Sequence, residues 1–163
     1  NGTLSLPSTL KYLGRGIDLW WYGGVFTYCG FTSELILPNN LECIAGNNTF
    51  AGCEGLHGEL RFPEKLTEIS DGAFNGCKSL TGSITIPQGV HKLPTSVFQY
   101  CDNLNGTLTL PDGITSIGYN CFQGCALKGE LKLPKNLTVI ADEVFCQKRL
   151  EALVKEHLPT TGD

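Results

Sequence analysis

The chain has 163 residues, room for one domain or for one stretch of a longer repeat array. A hydrophobic fraction of 41% with only 17% charged residues, at a mean hydropathy of -0.02, suits a chain with a real core and excludes a coiled coil or an acidic disordered tail. The net charge of -4 carries no basic run, which argues against nucleic acid and anionic membrane surfaces as partners, and no apolar stretch is long enough for membrane insertion.

From the amino terminus, Leu4-Ser5-Leu6-Pro7 is the first of a series of apolar-x-apolar-Pro segments. It continues with Leu35-Ile36-Leu37-Pro38, Leu60-Arg61-Phe62-Pro63, Ile84-Thr85-Ile86-Pro87, Leu108-Thr109-Leu110-Pro111 and Leu131-Lys132-Leu133-Pro134. A triplet of period two predicts a short strand with one buried face. Proline ends it, having no N–H for a ladder. Three or four residues further on come apolar-x-x-apolar pairs such as Leu66/Ile69, Val90/Leu93, Ile114/Ile117 and Leu137/Ile140. These predict a second extended side.

A phenylalanine follows in each copy: Phe26, Phe50, Phe74, Phe98 and Phe122, 24 residues apart. A cysteine sits three residues beyond each, at Cys29, Cys53, Cys77, Cys101 and Cys125. From Asp71 through Phe74 and Cys77 to Leu80 the apolar spacing predicts a single helical turn with Phe and Cys pointing inward. No copy can bury its apolar side alone. The copies therefore stack, and the predicted fold is an α/β repeat solenoid, a right-handed coil of about six rungs with short parallel strands and short helical turns.

The combined pattern, apolar-x-apolar-Pro, then apolar-x-x-Ile, then Ala/Val/Cys-Phe-x-x-Cys-x-x-Leu, resembles the BspA-like leucine-rich repeats of bacterial and some protist surface proteins. The resemblance covers residues 2 to about 145. It implies a leucine-rich-repeat coil at the cell surface or secreted, in a family associated with adhesion to host proteins and to other bacteria. It maps no ligand contact residue by residue.

Two regions depart from the repeat. An insertion at residues 14–24 carries Trp20, Trp21 and Tyr22, which include both tryptophans of the chain. It reads either as an aromatic platform for a sugar ring or a partner, or as a cover over the open first rung. At the other end, residues from about 142 to 157 are built of strong helix formers, with Val144, Leu150, Leu153 and Val154 on one side. They predict a C-terminal capping helix, so the repeat domain spans residues 1–157. Residues 158–163 then form a flexible tail. Within it Leu158-Pro159-Thr160-Thr161-Gly162 resembles the sortase recognition signal of Gram-positive surface proteins. A truncated native anchor, an engineered tag and a coincidental ending are the readings of that tail.

Catalytic chemistry finds little support. Eight cysteines in a surface protein ordinarily suggest disulfides, but the 24-residue ladder points to buried, reduced thiols packed among Phe and Leu. No C-x-x-C pair offers a zinc site. His57, His91 and His157 occupy three different repeat positions, so no Ser or Cys has an evident base within reach. Glu34 and Glu59 share one repeat position, which does not suit separate acid and base roles. The sequence thus predicts a non-catalytic module without metal or cofactor, a monomer or part of a longer chain, which binds host or bacterial surface protein or glycan. The alternative is a structural spacer or stalk fragment of a larger surface protein.

Overall fold

The structure, a computed structural model, describes residues 2–14 and 24–145. Its strands are two residues each: β1 (Tyr12–Leu13), β2 (Cys43–Ile44), β3 (Gly58–Glu59), β4 (Glu68–Ile69), β5 (Leu80–Thr81), β6 (Ile84–Thr85), β7 (Lys92–Leu93), β8 (Leu108–Thr109), β9 (Ser116–Ile117) and β10 (Val139–Ile140). All pairings are parallel. The apolar-x-x-apolar segments form the most regular side, with β1-β2-β4 in one sheet and β7-β9-β10 in another. Register advances by one repeat per strand, from Lys92 to Ser116 to Val139. The chain is a parallel-strand solenoid.

The triplet side carries less ladder than the sequence predicts. There β6 pairs with β8, while residues 35–37, 60–62 and 131–133 belong to no strand. Three residues closed by a proline that lacks an N–H offer little backbone to pair. Burial holds this side instead: Leu35, Leu37, Leu60, Ile84, Ile86, Leu108 and Leu131 all lie in the core.

The predicted helical turns are not formed; among the described residues there is no helix. The Phe-to-Cys segments are tight turns in which residues at two repeat positions take left-handed backbone angles. Asn48, Gly72, Ser96, Asn120 and Glu143 form one such column, two residues before each Phe. Tyr28, Gly52, Gly76, Tyr100 and Gly124 form the other, two residues after it. A helix cannot pass through left-handed residues four apart. The backbone N–H groups alternate instead between the turn and the next rung. Asn48, Phe50 and Gly52 donate to the carbonyls of Asp71, Ala73 and Asn75, while Ala51 and Cys53 donate back to Asn48 and Phe50. Phe and Cys still point inward, because a three-residue separation brings both to the inner face of the turn.

The core is one cluster running from Leu13 to Phe145. At its centre Phe26, Phe50, Phe74, Phe98, Phe122 and Phe145 stack nearly parallel, with centroids 5.4–5.7 Å apart. Each fully buried ring contributes about 1.5–3 kcal/mol of burial, and each stacked pair adds about 0.5–1.5 kcal/mol. Phe62, where other copies have Leu or Ile, inserts edge-on against both Phe74 and Phe98. The stack is widest there, at 5.7 Å. At this same level β4 and β7 belong to different sheets. As for the capping helix, residues 142–145 form a turn rather than its first residues, and 146–157 lie outside the described residues.

Candidate functional site

Thiols are the natural nucleophiles of this chain, and the coil buries all of the described ones except Cys29, which is half-buried. Cys53, Cys77, Cys101 and Cys125 are buried. Each Sγ donates to the carbonyl of the Phe in the preceding rung, at 2.8 Å for Cys53 and 3.1 Å for the other three. Burial pushes the Cys53 thiol up to about 11 and the Cys125 thiol up to about 12. It raises Cys77, Cys101 and Cys121 as well. A thiol is a nucleophile only as thiolate, so these side chains serve as small core residues. Cys121 sits in a second buried column with Thr49, Ala73, Val97 and Val144, directly before each Phe. Cys43, in β2, is buried at 3% exposure and donates to Glu68 Oε2 at 3.0 Å. Among the described residues no three His, Cys, Asp or Glu side chains converge on a point that could hold a metal ion. No helix among them is long and apolar enough to cross a membrane.

The turn face offers a recessed site. A groove of about 850 Å³ runs along the left-handed turns. Gly52 and Gly76 line it, and the column that supplies them reads Tyr28, Gly52, Gly76, Tyr100 from rung to rung. The Tyr28 ring lies over Gly52, where a Cβ would collide with the ring's Cδ1. Glycine at this position therefore serves both the left-handed turn and the seating of the ring. Tyr28 and Tyr100 also line the groove and are 81% and 49% exposed, with the Tyr100 ring lying against Gly124 as Tyr28 lies against Gly52. Three rungs of 5.4–5.7 Å separate Tyr28 from Tyr100.

Polar groups line the groove's flanks. On one flank Glu54, Lys78 and Asp102 occupy the position after the ladder cysteine, with Lys78 Nζ 2.8 Å from Glu54 Oε1. That contact, and the neighbouring Asp102 more weakly, raise the affinity of Lys78 for its proton. Asn48 and Asn75 also line the groove. Among the described residues, the side-chain amides of Asn48 and Asn75 and the carboxylate of Asp102 have no hydrogen-bond partner in the protein. The groove thus combines two exposed tyrosines with uncommitted donors and acceptors and a locally compensated charge.

The residues picked out from the sequence fall elsewhere. Trp20, Trp21 and Tyr22 lie outside the described residues, as do Leu158, Pro159, Thr160, Thr161 and Gly162. Sequence reasoning missed Tyr28 and Tyr100. The signal was present: two residues after each Phe the repeat reads Tyr, Gly, Gly, Tyr, Gly. His91 Nδ1 lies 3.1 Å from the Gly113 carbonyl on the exposed strand side. Glu59 pairs with Arg61 at 3.0 Å, an exposed contact of small energetic weight.

The repeat has known counterparts. Residues 22–151 match the BspA type leucine rich repeat region, in six copies. The fold is similar to the crystal structure of a leucine-rich repeat protein from Bacteroides ovatus, with a TM-score of 0.57 and 33% sequence identity. The match covers 64% of this chain and 26% of that one, so the matched part spans about a quarter of that protein's length. No curated protein matches the chain. With six repeat copies spanning most of its length and a parallel-strand coil behind them, the chain belongs to the BspA-type leucine-rich repeat family.

Proposed function

We propose that this chain is a non-catalytic recognition module, secreted or displayed at the cell surface, that binds surface protein or glycan. The observation that carries this reading is the groove lined by Tyr28 and Tyr100: two exposed rings and unpaired polar side chains held on stacked turns. Rings and fixed polar groups are what recognition sites concentrate. Burial of the ladder thiols among apolar side chains supports a role without nucleophilic chemistry. Trp20, Trp21 and Tyr22 remain a second proposed contact, and the Leu158-to-Gly162 segment a proposed sortase-type anchor.

A structural spacer is the second reading. It is favoured by a core that propagates from rung to rung without a break, since such a coil can hold other domains at a distance. Surface plasmon resonance of the full chain against immobilised extracellular-matrix proteins and bacterial cell-wall polysaccharide separates the two. Saturable binding to either class supports recognition. Absence of saturable binding to both supports the spacer.

A further inference from the structure

We propose that Cys29 and Cys53 form a peroxide-responsive pair, in which oxidation of Cys29 closes a disulfide to Cys53 and ties the Phe26 rung to the next. The ladder is in step at this point. Phe26 N–H donates to the Thr49 carbonyl at 2.8 Å and Tyr28 N–H to the Ala51 carbonyl at 2.7 Å, so the two turns run in register up to the cysteines. Rungs bonded in this way stand about 5 Å apart, inside the Cα separation of about 4.4–6.8 Å that a disulfide spans. The Phe26 carbonyl joins the pair: it accepts the Cys29 N–H at 3.0 Å and the Cys53 S–H at 2.8 Å. Closing the bond takes a χ1 rotation of Cys53 away from that carbonyl.

Access separates this pair from the rest of the ladder. Cys53, Cys77, Cys101 and Cys125 are 0–1% exposed, whereas Cys29 is half-buried. Its chain neighbours Tyr28 and Gly30 are exposed, and a Cβ placed on Gly30 would meet nothing within 4 Å. A hydroperoxide therefore reaches Cys29 first. The Cys29 sulfur attacks one peroxide oxygen and the O–O bond breaks, giving the sulfenic acid and releasing an alcohol or water. Cys53 then attacks that sulfur, its proton leaves with the hydroxyl as water, and the S–S bond forms. Two electrons pass in all from the two thiols to the peroxide. Burial holds the Cys53 proton tightly, so this thiol is inert until an electrophilic sulfur stands beside it, and the second step is the slower one.

Closure staples the turn where the stack is least covered, since Phe26 is half-buried and Phe50 fully buried. The test treats the full native chain with hydrogen peroxide at pH 8 and follows each cysteine by peptide mass spectrometry, with and without dimedone as a sulfenic-acid trap. The expected product is a peptide pair joined through Cys29 and Cys53, formed within one chain and reversed by dithiothreitol. Amide exchange of Phe26 and Tyr28 should slow about tenfold in the oxidised chain. Cys53→Ala should lose the link and accumulate dimedone-labelled Cys29, and Cys29→Ala should leave Cys53 unmodified at the same peroxide dose. The wild-type link is read without either variant. Wild-type Cys29 that stays unoxidised, stops at sulfinic acid, or joins another chain or another cysteine would overturn the pairing. Oxidation of Cys53 in the Cys29→Ala chain at the wild-type rate would overturn Cys29 as the point of entry.

Discussion

At the scale of single residues, position in the column decides what a substitution costs. Phe74 is fully buried, with Phe50 stacked on one side and Phe98 on the other. Phe74→Ala removes both stacks and opens a cavity, and should cost about 3–5 kcal/mol in urea unfolding. Phe26 is only half-buried at the start of the stack, so Phe26→Ala should cost distinctly less. Backbone angle gives a prediction of the opposite sign. Ser96 holds a φ of 57° where the preceding copy has Gly72. Ser96→Gly relieves a left-handed penalty of about 1–2 kcal/mol against a glycine entropy loss of about 0.5–1 kcal/mol. A small rise in the unfolding midpoint should follow.

The buried thiols give the pH dependence. An unfolded chain ionises its cysteines from about pH 8.5, whereas the folded chain keeps Cys53 neutral up to about 11 and Cys125 up to about 12. Since the folded values are raised, the unfolded state loses protons first. Stability is therefore intact below about pH 8.5 and declines as pH climbs through 9 to 11. The urea midpoint should fall between pH 8 and pH 10.5, and the fall should be smaller in Cys53→Ala. An unchanged slope in that variant would contradict the assignment.

Elements in this coil are defined by what joins one rung to the next. Thr67 N–H donates to Glu42 and Thr115 N–H to His91, but among the described residues no such bond connects His91 or Lys92 to β4. Phe62 stands at that level, edge-on between two stacked rings, and a groove of about 700 Å³ opens beside it between residues 59–64 and 83–88. Hydrogen exchange read by NMR should show the His91 amide exchanging well ahead of the Thr115 amide. Equal protection of the two would mean that the ladder is continuous there. The rungs themselves could be read from sequence because Phe and Cys recur every 24 residues, and such a period has no meaning outside a stack. The turns could not. A three-residue Phe-to-Cys spacing fits a helix as well as a left-handed turn, and the left-handed positions are filled by Tyr28, Ser96, Tyr100 and Glu143 as well as by glycine. Propensity carries little information at such sites, since the ladder to the next rung imposes the conformation. The tyrosine column was overlooked for a related reason: it lies on the turn face, not on the strand faces where alternation directs the eye.

For the whole molecule, each rung touches only its neighbours, so stability is a sum of rung and interface contributions. The unbroken stack from Phe26 to Phe145 couples them into one core. The groove inherits its rigidity from this stack, because the left-handed turns that line it flank the buried rings. A recognition role on the turn face therefore depends on the aromatic and thiol columns being interior. The most direct measurement is alkylation of the native chain with iodoacetamide at pH 8, with each cysteine followed by mass spectrometry. Cys53, Cys77, Cys101 and Cys125 should stay unmodified while the chain is folded and react together once urea unfolds it. Modification of Cys77 or Cys101 in the native chain at the rate of a free thiol would contradict the stacked coil.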